Sequence, residues 1–223
     1  MRILLLLLAL LLGGCSTTQK TTTISEEEAH AAIVEVLHLS ESALDSSALG
    51  SLPFTALLKE EQLHILDLDE IPLLEQRLQL WRSEVLEAYR STARGMGEEL
   101  DPLLDTLVID DARKLVQSKE MSATSILKAQ KGEEIKTMAA ALLLPALSES
   151  QKIWGIVHER YEIWSRSRVL LGEDGLPPLE ENPFEQLLTV FVDSFLGALE
   201  REEMLLRTTP VVKGSGSILE VFQ

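Results

Sequence analysis

Apolar residues recur every three or four positions along most of this chain, which is the spacing of amphipathic helices. The clearest stripe follows Asn182-Pro183 and consists of Phe184, Leu188, Phe191, Phe195 and Leu199. Asn182 is suited to cap that helix, and Pro183 is tolerated at its first position. No stretch alternates with a period of two for long enough to predict a strand. We therefore predict an all-α fold, a multi-helix bundle with no significant sheet.

Two helices are predicted in the first half of the chain. Ser25 and Glu28 have the spacing of a capping box, and the helix that they open is expected to be a loosely attached arm of the bundle. A long helix opens near Pro72. It is expected to end at the glycines of Gly95-Met96-Gly97.

Further helices are predicted between these and the C-terminal stripe. Asp110 and Ser122 are residue types that cap helices, and each is expected to begin a short one. The very apolar stretch from Glu133 to Pro145 is too short to cross a bilayer, and we interpret it as the buried central helix. The next helix carries Ile153, Val157, Tyr161 and Trp164 and is expected to stop at Gly172.

The N-terminus has a different pattern. Arg2 is followed by ten apolar residues, 3–12, and two glycines, which is typical of a secretory signal peptide and too short for a membrane-spanning helix. Leu12-Gly13-Gly14-Cys15 resembles the lipobox of bacterial lipoproteins. That resemblance implies cleavage before Cys15 and acylation of its thiol and new amino group. The alternative is an ordinary signal peptide with an incidental cysteine.

These patterns divide the chain into four parts. Residues 1–14 are the predicted signal peptide, and 15–24 are the lipidated cysteine with a polar tether. Residues 25–207 form the predicted helical domain. Residues 208–223 are a tail whose glycines and serines predict flexibility before a short apolar terminal helix. We expect that helix to pack on its own bundle; recognition by a partner is the alternative.

Six short segments occur in an order that is similar to that of a known family. They are Ile71-Pro72-Leu73, Ile109-Asp110-Asp111-Ala112, Leu144-Pro145, Asn182-Pro183, Glu202-Glu203 to Arg207, and Val221-Phe222. Over residues 68–222 the chain resembles the bacterial domain-of-unknown-function 4197 family. The resemblance implies a secreted, mostly helical protein and no reaction, because none is assigned to that family. Residues 89–93 and Gln117-Ser118 depart from the family's pattern, which puts any shared site there in doubt.

The charge balance excludes some partners. The net charge of −16 becomes −17 when the signal peptide, with Arg2, is removed. Nucleic-acid binding depends on Lys and Arg that neutralise phosphates, so nucleic acid is not an expected partner. There is no basic cluster near Cys15, so binding to anionic lipid headgroups is not expected either. Cys15 is also the single cysteine, so the chain has no internal disulfide.

Two patterns suggest chemistry, but each has a simpler explanation. Glu27/His30, Glu35/His38 and Glu61/His64 have the Glu-x-x-His spacing of di-iron bundles. Pairs at this spacing are more often ordinary neighbours on a helix surface, and His38 is expected to face solvent. Ser125 and Lys128 match Ser-x-x-Lys of penicillin-interactive enzymes, without the other required elements. We predict no catalytic residue, metal or cofactor.

One cluster near the C-terminus is a candidate for interaction. The residues are Glu202, Glu203, Arg207, Val221 and Phe222. For Glu202 and Glu203, which lie next to Arg201 and Arg207, the simplest role is an ion-pair cluster that ties the C-terminal segment down.

The expected function follows from location more than from chemistry. We expect a lipid-anchored protein of the bacterial cell envelope, in the outer membrane and facing the periplasm because Ser16 follows Cys15. Its expected role is a non-catalytic interaction or structural module with a protein partner. The alternative is a carrier or sensor of an apolar small ligand. An apolar void above about 300 Å³ between residues 138–147 and 184–199 would favour the carrier.

Overall fold

The computed structural model describes residues 24–44, 71–118, 121–211 and 217–222. The helices are α1 (Glu26–Ala43), α2 (Leu74–Asp105), α3 (Ala112–Gln117), α4 (Ala123–Ala146), α5 (Ser148–Leu170), α6 (Phe184–Thr208) and a 3₁₀ helix (Ile218–Phe222), here called the terminal helix. No strand occurs in the described residues, so the prediction of an all-α bundle is confirmed. None of the described helices is long and apolar enough to cross a membrane.

Side-chain caps define several helix starts. The Ser25 hydroxyl accepts the Glu28 N–H at 3.1 Å, and the Ser25 N–H donates to the Glu28 carboxylate at 2.9 Å, which is the predicted capping box. Ser122 caps α4 as predicted. For α3 the predicted cap is wrong by one residue, because the carboxylate of Asp111, not Asp110, accepts the Lys114 N–H at 3.0 Å.

The helices form a bundle in which α2 also packs against α5. This antiparallel pair is here called the α2–α5 hairpin, although α3 and α4 lie between the two helices in the sequence. α1, α2, α4 and α6 pack as a ring in which each contacts its two neighbours. α4 and α5 lie one after the other along α2, and both run antiparallel to it. Gly95 lies against Leu142 of α4, and the rings of Trp81 and Trp154 are 4.6 Å apart in the α2–α5 hairpin.

The chain returns from α5 along that helix before it enters α6. Gly172 has a positive φ of 84°, which suits a glycine just after a helix end. Tyr161 then donates to the Pro177 carbonyl, and the Trp154 indole donates to the Glu180 carbonyl at 3.0 Å. Burial, with a smaller effect of the Glu162 charge, raises the pKa of Tyr161 to about 12, so its hydroxyl remains a donor.

Aromatic and aliphatic side chains fill the centre of the bundle. The five residues of the predicted α6 stripe are all buried, which confirms that part of the sequence analysis. The Phe191 ring packs edge-on against Tyr89 at 5.2 Å and stacks on Phe195 at 6.1 Å. Tyr89 donates to the Leu187 carbonyl at 2.6 Å, which fixes the start of α6 beside the middle of α2.

The expectation that the first helix is a loosely attached arm is wrong. One face of α1, consisting of Ala29, Ala32, Ile33, Val36 and Leu37, is buried. Small and aliphatic residues on one helical face allow close packing against α6 and α2. α1 therefore closes the bundle.

The predicted end of the long helix at residues 95–97 is also wrong. α2 continues to Asp105, because glycine costs only about 1 kcal/mol inside a helix and tertiary packing exceeds that cost. At these glycines, side chains of neighbouring helices lie close to the backbone of α2. A Cβ at Gly97 would lie only 2.1 Å from the Glu41 carboxylate of α1.

The prediction of a separate, buried central helix after Glu133 is wrong in two respects. Residues 123–146 form one helix, since the Ser122 cap and the apolar stretch belong to the same element. Within residues 138–144, only Ala139 and Leu143 are buried, and Leu144 is 43% exposed. A run that is apolar all round can still lie at the surface when a neighbour covers only one of its faces.

Candidate functional site

A buried ion pair on α6 is the centre of the candidate site. Glu203 and Arg207 lie one turn apart, and their charged atoms are 2.9 Å apart. The side chains are only 1% and 5% exposed. Burial of both charges is costly unless each finds further hydrogen bonds, so their other partners decide whether the arrangement is stable.

The Glu203 carboxylate binds the N-terminus of α4. It accepts hydrogen bonds from the Ala123 N–H at 2.8 Å, the Thr124 N–H at 2.9 Å and the Thr124 hydroxyl at 2.8 Å. The first turn of a helix has N–H groups without intrahelical partners and a partial positive charge. A carboxylate from another helix accepts hydrogen bonds from those N–H groups and also balances the partial positive charge. Ser122, the cap of α4, donates to Glu200 at 2.5 Å, so α6 holds this helix end at two points.

The Arg207 guanidinium binds the segment that leaves α3. Its terminal nitrogens donate to the carbonyls of Leu115 and Ser118 at 2.6 Å each and of Met121 at 2.7 Å. Carbonyls at the end of a helix lack intrahelical donors, and an arginine is a suitable partner for them. The Glu203–Arg207 pair therefore joins the end of α3, the start of α4 and the last turns of α6.

The terminal helix covers one side of this site. It lies against α1, α3 and α6. The centre of the Phe222 ring is 5.2 Å from the Arg207 guanidinium carbon, within the range of a cation–π contact. Beside it is a pocket of about 460 Å³ between the end of α3, the last turns of α6, Val221 and Phe222.

Four of the five residues proposed from the sequence come together here. Glu203, Arg207, Val221 and Phe222 line one region, whereas Glu202 lies half-buried on a different side of α6 and is not part of the pair. The sequence analysis missed Thr124 and the carbonyls of α3. Carbonyls carry no residue-type signal, and Ser122 indicated a helix start without showing which carboxylate would approach it. Cys15 lies outside the described residues.

The histidine patterns have structural roles. His38 is not directed to solvent as expected: its side chain is 29% exposed, Nδ1 lies 2.8 Å from Asp101 and Nε2 lies 3.4 Å from Asp105. The His30 ring nitrogen lies 3.2 Å from the Leu107 carbonyl. In the described part of the chain no group of three or more His, Cys, Asp or Glu side chains could hold a metal ion. His64 lies outside that part.

The Ser-x-x-Lys residues are engaged separately. The Ser125 hydroxyl donates to the Ser122 carbonyl at 2.7 Å, within the first turn of α4. The Lys128 ammonium lies 2.8 Å from Asp193 on α6. Ser125 therefore makes a local contact within its own helical turn, and Lys128 takes part in a surface ion pair.

Large aliphatic side chains are exposed at the far end of the α2–α5 hairpin. Leu73 precedes α2, and Ile163, Val169, Leu170 and Leu171 lie at the end of α5 and just after it. Leu170 and Leu171 are 87% and 79% exposed. Several large apolar side chains exposed in one part of a protein are a common feature of interaction surfaces.

A second apolar feature is a groove between α2 and α4. It has a volume of about 550 Å³, opens at the surface, and has Met138, Ala141 and Leu142 as its apolar lining. Glu99, Glu133 and Glu134 lie at its edges. The groove does not reach the α6 side of α4, where the facing side chains are buried.

Comparison with known proteins adds no relative to this description, since no family model, no curated protein and no solved structure matches the chain.

Proposed function

We propose that this protein is a lipid-anchored component of the bacterial cell envelope that binds another protein and catalyses no reaction. The observation that carries the proposal is the exposure of three successive large aliphatic side chains, Val169, Leu170 and Leu171, at the end of α5. Side chains of this kind are exposed at a cost in solubility, which burial against a partner removes.

The charged groups support a structural rather than a catalytic role. Glu203 and Arg207 use their hydrogen bonds to hold helix ends. A catalytic acid or base must reach a substrate proton, and the hydrogen bonds of these two almost fully buried groups are made to the protein itself.

The location rests on the N-terminal sequence. The lipobox resemblance at Leu12 to Cys15 supports an anchor, and Ser16 supports the outer membrane facing the periplasm. The order of the six segments supports assignment to the bacterial domain-of-unknown-function 4197 family, which implies secretion as well.

Replacement of Cys15 by serine tests the anchor. The variant should not incorporate a fatty-acid analogue and should accumulate as precursor or as unanchored protein. The matched control is Ser16→Thr, which leaves the thiol and should be labelled normally. A Cys15→Ser protein that is processed and stays with the membrane would contradict the anchor.

Site-specific crosslinking tests the interaction surface. A photo-reactive residue at position 170 should give a discrete crosslinked protein in whole membranes. The same residue at position 108 is the control, because Val108 is also largely exposed but lies in the connection between α2 and α3. Equal products from both positions would contradict a specific surface at the hairpin end.

The carrier of an apolar ligand is the second candidate. The groove beside Met138, Ala141 and Leu142 favours it, because these three side chains give it an apolar wall and its volume suits a small ligand. Against it, Phe191 of α6 is in ring contact with Tyr89 and Phe195 in the region where the carrier hypothesis expected an apolar void. A fluorescent fatty acid that binds the purified protein, and loses binding on Ala141→Glu, would favour the carrier.

A further inference from the structure

We propose that the groove between α2 and α4 is a binding site for a small amphiphilic cation, that is, a molecule with an apolar body and an ammonium group. Two helices supply its lining: α2 contributes Glu99, and α4 contributes residues between Glu133 and Leu142. The lining includes none of residues 169–171 at the end of α5. The proposal therefore depends on neither the lipid anchor nor a protein partner at that helix end.

The apolar wall of the groove is formed before any ligand arrives. Met138 and Leu142 are half-buried in it, and Ala141 is exposed. Leu142 packs closely on α2, because a Cβ at Gly95 would lie only 3.3 Å from the Leu142 Cδ1 atom. A wall that is already in place does not have to be ordered on binding, which lowers the cost of association. This wall fits the apolar body of the ligand.

The edges of the groove carry carboxylates from both helices. Glu99 belongs to α2, whereas Glu133 and Glu134 belong to α4. The Lys131 ammonium lies 3.3 Å from the Glu134 carboxylate and balances its charge. Among the described residues, Glu99 and Glu133 make no ion pair. One uncompensated carboxylate on each helix therefore faces an incoming ligand.

The charge of these edges decides which kind of ligand fits. Three carboxylates and the Lys131 ammonium leave a net charge of −2 beside the apolar wall. An ammonium group would be attracted there, whereas the carboxylate of a fatty acid would be repelled. The groove volume of about 550 Å³ is within the range of small-molecule sites. An apolar body with a positive charge matches both features.

Two fluorescent probes of opposite charge test the sign of the ligand. Dansylcadaverine joins the dansyl ring to an ammonium group through a short alkyl chain, and dansyl-6-aminohexanoic acid ends in a carboxylate instead. At physiological ionic strength the ammonium probe should bind the purified full chain at least about tenfold more tightly, because attraction by two partly screened carboxylates replaces repulsion. Equal affinities, or no binding of the ammonium probe, overturn the proposal.

Matched variants separate the groove from the overall acidity of the chain. Glu99→Gln combined with Glu133→Gln should weaken binding of the ammonium probe by at least about fivefold. Glu159→Gln combined with Glu181→Gln is the control, because these exposed residues do not line the groove and the net charge changes equally. Equal weakening in both double variants would show that the probe responds only to the overall charge, and the proposal would be wrong.

A further variant tests the apolar wall. Ala141→Trp should fill the groove and weaken binding of the ammonium probe by at least about tenfold, because the wall supplies most of the contact with the dansyl ring. Ala146→Trp is the control, since Ala146 is also exposed on α4 but does not line the groove. Circular dichroism should show the parent helix content in both. Unchanged binding to folded Ala141→Trp overturns the proposal, and if that variant is unfolded the glutamine variants decide.

Discussion

At the scale of single residues, the buried pair Glu203–Arg207 shows how charge is tolerated inside this bundle. Neither side chain is isolated: the carboxylate accepts from the start of α4, and the guanidinium donates to carbonyls in the last turn of α3 and just after it. Each charge thus replaces the water that it loses with fixed dipoles of the backbone. Removal of one partner leaves the other buried charge without its compensation.

Arg207→Met should therefore lower the free energy of unfolding by about 3–5 kcal/mol, the usual cost of breaking a buried pair. Chemical denaturation followed by circular dichroism measures it. Arg201→Met is the matched control, because Arg201 is exposed on the same helix and should change stability by less than about 0.5 kcal/mol. Similar losses in both variants would show that the pair has no special role.

Glu41 gives a pH dependence with a defined sign. Burial, and next the charge of Asp101, raises the pKa of this carboxyl group above its ordinary value of 4.5. A raised pKa means that the folded protein favours the protonated form, so ionisation at higher pH costs stability. Because solvent screens this partly exposed group, Glu41→Gln should be more stable than the parent at neutral pH by no more than about 0.5 kcal/mol.

That difference should disappear as the pH falls below 4.5, where the carboxyl group is protonated in both the folded and the unfolded chain. Urea denaturation of the two proteins from pH 3 to pH 8 tests the sign. A gain that persists unchanged at low pH would contradict this origin.

At the scale of the helices, three glycines of this protein lie in different environments. Gly97 leaves room for the Glu41 side chain of α1, whereas Gly132 in α4 has no atom within 4 Å of the place where a Cβ would be. Gly172 has a positive φ at the end of α5. The same substitution should therefore have opposite effects at different places.

Gly132→Ala should raise the free energy of unfolding by about 0.5–1 kcal/mol, because alanine loses less backbone entropy in a helix. Gly172→Ala should lower it by about 1–2 kcal/mol, because a Cβ is strained in the left-handed region. Thermal unfolding of the two variants side by side tests both signs. Stabilisation by both alanines would mean that Gly172 does not need its positive φ.

At the scale of the whole molecule, one aromatic centre joins helices that are far apart in sequence. Phe191 of α6 contacts Tyr89 of α2 and Phe195 of its own helix, and all three side chains are buried. The exposed end of the α2–α5 hairpin contributes nothing comparable to this core. Stability and interaction are therefore located in different regions.

Phe191→Ala should cost about 3–5 kcal/mol of stability, since it leaves a large cavity that its neighbours cannot fill. Leu170→Ala, at a side chain that is 87% exposed, should change stability by less than about 0.5 kcal/mol. Equilibrium denaturation measures both. A large loss at Leu170 would show that the hairpin end is part of the core after all.

The sequence by itself determined the fold class, the helix with the Phe184 to Leu199 stripe, and the caps at Ser25 and Ser122. Those features depend on periodicity and on hydrogen bonds between residues a few positions apart, which a single chain segment displays. The candidate cluster was partly predictable for the same reason. Glu203 and Arg207 are one turn apart, so their pairing needed no knowledge of other helices.

Only the tertiary structure decided where the other elements end and what they contact. α2 continues through Gly95 and Gly97 because α4 and α1 pack against those glycines, and packing outweighs local propensity. His38 meets Asp101 and Asp105, which are more than 60 positions away. The partners of Arg207 on α3 are backbone carbonyls, and every residue has one. Their selection depends on the path of the folded chain, which no local pattern in the sequence contains.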